Sequence, residues 1–142
     1  MGNLRTNQSN ISNMQNSNRR PELYINDKVN EEIFVWAENA VNRYSGLSTS
    51  QLRNFYNEVK NIEKKVKRNI SENYVLTRIK LLKAKVRYNR GRNQNALNRN
   101  FADDIEYYID KVKNLKDFKA FCILFEALVG FFYGSNARSG NR

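Results

Sequence analysis

The chain contains no histidine. That removes Ser–His and Cys–His nucleophile pairs, and with them the commonest protein metal ligand. It has a single cysteine, Cys122, set in the apolar run FKAFCILFEALVGFF. A lone cysteine there reads as a small core residue, and no disulfide can form within one chain, which suits a reducing cytoplasm. One proline and six glycines favour helices over a turn-rich β fold. No basic-then-apolar leader opens the sequence. No uncharged stretch reaches the roughly twenty residues that cross a bilayer. The expectation is a soluble cytoplasmic protein with no membrane partner. Phosphate loop, dinucleotide fingerprint, zinc spacing and nucleophile elbow are all missing. The remaining carboxylates, lysines and tyrosines form no acid–base constellation. Neither catalysis nor a cofactor nor a bound metal is expected.

What the chain does have is positive charge, and it is concentrated. Between Arg43 and Arg99 stand fifteen Lys or Arg against Glu58, Glu63 and Glu72, a surplus of twelve where the whole chain carries +11. Every other segment therefore sums to about zero. A pI near 9.9 points to an anionic partner, through summed potential and counterion release. Nucleic acid is the commonest such partner, and an anionic membrane surface is its rival.

With 142 residues the chain makes one domain. Residues 1–21 are rich in Asn, Ser and Gln and lack apolar periodicity, so they read as a disordered tail. Residues 22–134 read as a compact all-α bundle of about five helices, and 135–142 as a flexible C-terminal tail. The first helix is expected from about Asp27, its N-cap, to Tyr44, with Ile33, Trp36, Ala37, Ala40 and Val41 on its core side and Gly46 ending the segment. The second runs from about Ser48 to Arg68, capped by Ser48 or Thr49, and the third from about Ser71 to Tyr88.

These two central helices each carry two stripes. Leu52, Phe55, Val59, Ile62 and Val66 recur at alternating steps of three and four, forming one apolar seam of a 3.6-residue helix. Arg53, Lys60, Lys64 and Lys67 form a basic row roughly 140° around the same helix. Like charges at these spacings repel unless something neutralises them, and an anionic ligand would. In the third helix Val75, Ile79, Leu82 and Val86 form the seam, and Lys80, Lys83, Arg87 and Arg90 a basic row beside it. Lys85 and Arg92 lie on the opposite flank with Arg78 and Tyr88. Tyr56, Tyr74 and Tyr88 offer base stacking, although tyrosines on helices are more commonly half-buried.

The fourth helix is expected from about Asn100 to Asn114. Its acids Asp103, Asp104, Glu106 and Asp110 read as favourable charge near a helix start rather than as a metal cluster. The fifth, from about Lys116 to Tyr133, is apolar on nearly all sides and so is either central or covered by a partner. Asp117 is its candidate cap, Glu126 reads as a lone buried acid, and Gly134 is expected to stop it.

Three segments resemble one known family. LSTSQLRNFYNEV at 47–59, LLKAKVRYNRGR at 81–92 and FKAFCILFEALVGFFYG at 118–134 are similar, in that order, to motifs of the small subunit of type III-A CRISPR effector (Csm) complexes. The resemblance implies a small helical bundle without catalytic activity. Copies of it stack into a short filament beside the backbone and large subunits, lining the guide RNA and its paired target RNA in antiviral defence. By resemblance the residues facing RNA are Arg53, Lys83, Lys85, Tyr88 and Arg92. Lys60, Lys64, Lys67, Arg87 and Arg90 join them from the basic rows alone. Such contacts go to phosphates and carry little sequence specificity. The competing reading is a free-standing basic helical DNA-binding protein.

Overall fold

A computed structural model describes residues 19–68 and 70–138. It opens with a two-stranded antiparallel hairpin, β1 (Tyr24–Ile25) and β2 (Lys28–Val29), which pairs Tyr24 with Val29 and Ile25 with Lys28. Asn26 and Asp27 form its turn at φ 53° and 63°. Two successive left-handed residues make the turn whose twist matches the strands, and Asn and Asp tolerate that region better than other non-glycine residues. Asp27 is thus a turn residue and not a helix cap. Its carboxylate instead accepts from Lys116 Nζ at 2.9 Å, at the far end of the chain.

Helix α1 is Glu32–Ala40 and starts five residues later than the apolar spacing predicts. Buried Asn30 makes the transition. Its backbone N–H donates to Leu23 O, its Nδ2 donates to Glu22 O, and its Oδ1 accepts from Glu32 N at 3.0 Å. A 3-10 turn, Val41–Arg43, follows, and Gly46 closes the segment at φ 85° as expected.

Helix α2 (Thr49–Val66) begins with a capping box. Gln51 N donates to Ser48 Oγ at 3.1 Å and Ser48 N donates back to Gln51 Oε1. Ser71 caps α3 (Glu72–Arg90), its Oγ accepting from Tyr74 N, and Gly91 ends that helix. The predicted seams are buried at Leu52, Phe55, Val59 and Ile62 on α2 and at Val75, Ile79, Leu82 and Val86 on α3, while Val66, at the end of α2, is half-buried. Asn98 caps α4 (Arg99–Asp110) by accepting from Phe101 N at 2.9 Å. The acids of α4 therefore do not cap it, and none of them lies in its first turn.

Helix α5 is Leu115–Arg138. Asn114 Oδ1 accepts from Asp117 N, and Asp117 Oδ2 accepts from Lys113 N, so one side-chain amide and one carboxylate together close its first turn. The helix runs four residues past Gly134. A glycine inside a helix costs only about 1 kcal/mol relative to alanine, which does not by itself end one. By length and hydropathy α5 resembles a membrane span, but it is the central helix of the bundle. It packs against α1 on one side and α2 on the other, while α3 lies between α2 and α4. Ala120, Phe121, Leu124, Phe125 and Leu128 are buried there with Cys122. Phe101 of α4 meets Phe125 edge-on at 6.1 Å, and Trp36 of α1 meets Tyr108 of α4 at 5.3 Å. Each such ring contributes about 1.5–3 kcal/mol through burial. Glu126 is not buried: its side chain is 62% exposed and lies beside Lys60 and Tyr56.

The segment expected to be tail is tied down where it enters the bundle. Buried Asp104 accepts from Arg20 Nε at 2.8 Å, Arg43 Nη2 at 2.9 Å and the Tyr44 hydroxyl at 2.6 Å. Tyr108 donates its hydroxyl to Pro21 O at 2.7 Å. The rest of the expected tail, residues 1–18, lies outside the described residues, as do 139–142.

Candidate nucleic-acid interface

The basic row of α3 faces a matching acidic row on α4. Lys83 Nζ meets Asp110 Oδ1 at 2.6 Å, Arg87 Nη2 meets Glu106 Oε1 at 2.5 Å, and Arg90 Nη2 meets Asp103 Oδ1 at 3.1 Å. Going up α3 the steps are four and three; going down α4 they are again four and three. Two antiparallel helices in one register produce this ladder. The carboxylates that read as helix-start charge are the partners of these cations. The hydrogen bond that Arg87 donates to Glu106, together with that carboxylate's charge, raises the Arg87 guanidinium above its ordinary value. Glu106 itself is buried, with its side chain 10% exposed. Like-charge repulsion along Lys83, Arg87 and Arg90 is thus relieved within the chain, without a ligand.

The row on α2 divides. Lys60 donates to Glu63 Oε1 at 3.0 Å and to Glu126 Oε1 on α5 at 3.4 Å, and lies over the Tyr56 ring. Its ammonium is raised above its ordinary value, mainly by the hydrogen bond it donates to Glu63. Arg53, Lys64 and Lys67 are exposed and form no ion pair among the described residues. Lys85 spans the gap from α3 to Glu58 of α2 and lies over the Phe55 ring.

Two further predicted residues stand at the end of α3. Tyr88 is 72% exposed, and Arg92 is exposed with its Nη1 donating to Asn89 Oδ1 at 3.1 Å. Gln51 Nε2 donates to Asn95 O at 2.8 Å, which holds the loop after α3 beside the start of α2. Arg53, Tyr88 and Arg92 therefore gather at one end of the α2–α3 pair. Lys64 and Lys67 lie at the other.

Sequence stripes do not reveal a cleft of about 260 Å³ between α2 and α3. Lys65, Tyr74 and Arg78 line it, with Leu81, Glu58 and Lys85. Lys65 and Arg78 sit outside both basic rows, and only the register that sets Glu58 against Lys85 brings them to one wall. A sequence signal exists in hindsight: both lie seven residues, two helical turns, from that pair.

All of these positions fall inside a region shared with known proteins. No curated protein and no solved structure matches the chain. A family model described as Csm2 Type III-A matches residues 27–136, from the turn of the hairpin to the last turn of α5, and includes both central basic rows. The chain belongs to the Csm2 family, the structural subunits of type III-A CRISPR complexes.

Proposed function

We propose that this subunit is non-catalytic and binds RNA through its phosphate backbone. Copies of it stack into a filament that lines and stabilises the guide RNA–target RNA duplex beside the backbone and large subunits of the complex, in antiviral defence in the cytoplasm. One observation carries the reading. Arg53, Lys64 and Lys67 on α2, with Tyr88 and Arg92 at the end of α3, are exposed on one helix pair while Asp103, Glu106 and Asp110 of α4 are engaged by the row of α3. Unneutralised cations on rigid helices attract phosphates and hold register without reading bases. Lys60, Lys83, Lys85, Arg87 and Arg90 are cations already balanced within the fold, so they add less to affinity. Self-stacking is supported by an apolar surface hollow between α1 and α5, lined by Phe34, Ile123, Ala127 and Phe131.

The test is fluorescence anisotropy of labelled single-stranded RNA, RNA duplex and DNA duplex over a salt series. If about five phosphates are engaged, the logarithmic salt slope is on the order of −3.5 on single strands and −4.5 on B-form duplex. The triple variant R53E/K64E/K67E should flatten it by about 2–3. Unchanged affinity with an unchanged circular dichroism spectrum would remove these residues from the interface. Tight binding to duplex DNA with a sequence preference would replace the RNA reading by a free-standing DNA-binding role.

A further inference from the structure

The cleft between α2 and α3 has the composition of an anion site. It is lined by three cations and one carboxylate, and that carboxylate, Glu58, is already paired with Lys85. Lys65 and Arg78 remain as a local surplus of positive charge on opposite walls. Arg78 is exposed and forms no ion pair among the described residues. Lys65 Nζ donates to the Tyr74 hydroxyl at 2.7 Å and lies 5.2 Å from the centre of its ring. That neutral partner holds the lysine over the cleft without cancelling its charge. The bond to Lys65, with Arg78 adding to it, pushes the Tyr74 hydroxyl below its ordinary value. Leu81, 54% exposed, supplies an apolar ledge on the same wall as Arg78. Such a leucine is out of place in a purely solvated charged groove, but it suits a ligand with an anionic group at one end and an uncharged ring at the other.

We propose that this cleft is a subsite for a nucleoside phosphate, in which Lys65 and Arg78 take the phosphate oxygens and Leu81 supports the ribose or base. A single phosphate with its sugar fits a space of about 260 Å³, and a duplex does not. The expected source is one nucleotide of a bound RNA strand, and to that extent the proposal rests on the RNA-binding reading. A free mononucleotide carries the same chemistry. Guanidinium and ammonium groups differ here: Arg78 offers a planar fork to two oxygens, Lys65 a single point charge.

Nuclear magnetic resonance of the full chain, titrated separately with oligouridylate and with uridine monophosphate, decides the matter. Both probes should shift the Arg78 Nε–Hε signal. Arg78→Glu and Lys65→Glu should each weaken oligouridylate binding several-fold and make its salt slope shallower by about 1, with Arg78→Lys losing less. Fluorescence of the single tryptophan, Trp36, reports that each variant is folded. If RNA binds and both charge-reversed variants bind it as well as the parent, the cleft is not a subsite, while the RNA reading stands. If uridine monophosphate shifts Arg78 but RNA does not bind, the cleft is a mononucleotide site and the RNA reading falls. If neither probe moves Arg78, the proposal is wrong.

Discussion

Arg87 of α3 donates both Nε, at 3.1 Å, and Nη2, at 2.5 Å, to the same oxygen of Glu106 on α4. The carboxylate is buried and the guanidinium is 66% exposed, so the two partners are not equivalent. Removing the arginine strands a desolvated charge, whereas removing the acid only frees a solvated one.

Arg87→Glu is therefore expected to destabilise the bundle more than Glu106→Gln, which should cost about 1–2 kcal/mol. Exchanging the two, R87E/E106R, should recover part of the loss. With Glu106→Arg as the second single variant, urea unfolding followed by Trp36 fluorescence gives the double-mutant cycle, and strictly additive losses would show that the ladder does not couple α3 to α4.

Asp104 is the second polar anchor, with Arg20, Arg43 and Tyr44 around one carboxylate. Asp104→Asn should cost on the order of 3 kcal/mol, because two arginines lose their counter-charge at once. It should also loosen the Arg20–Pro21 connection, so limited trypsin digestion after Arg19, whose following bond does not precede a proline, should quicken relative to the parent. Equal cleavage rates would separate the anchor from the entry of the chain.

Alkaline pH should weaken the fold. Burial raises the Tyr44 and Tyr108 hydroxyls and the Cys122 thiol above their ordinary values of 10.0, 10.0 and 9.0. In the folded state these groups keep their protons, while in the unfolded chain they lose them near the ordinary values. Their contribution is full below pH 9 and falls as pH rises through 9–10 and beyond. Melting temperature should fall between pH 8 and about 11. Cys122→Ala should delay the onset of that fall, and a flat profile would contradict the burial of all three.

The two helix caps are separable. Ser48→Ala removes the capping box of α2 and Asn114→Ala the cap of α5. Each should cost about 1 kcal/mol in urea unfolding. A loss at Ser48 with none at Asn114 would mean that Asp117, reaching back to Lys113, holds the start of α5 alone.

Most helix positions were legible because their signals are local. Ser48, Ser71 and the seams of α2 and α3 depend only on residues within a few turns. The hairpin was hidden because Asn26–Asp27 serves equally as a turn or as a cap. What distinguishes the two is Leu23 and Asn30 burying against other elements. Gly134 misled because a glycine ends a helix only where the chain takes a left-handed cap, and here it continues to Arg138.

The candidate interface was legible to a smaller extent. Arg53, Lys64 and Lys67 stay exposed, as a basic row offset from a core seam requires. Lys83, Arg87 and Arg90 have the same pattern in sequence but a different fate, since α4 carries acids at the complementary steps.

By itself the sequence determined five helices, their seams, the cap of α2 and a charge surplus concentrated on two of them. Side-chain direction along a helix is set by a local repeat, so each stripe follows from spacing alone. Only the tertiary structure decided which cations are neutralised within the chain and which face outward. That outcome depends on which helices become neighbours and in what register, and both are settled by the packing of Phe101, Phe125 and the buried seams between distant segments.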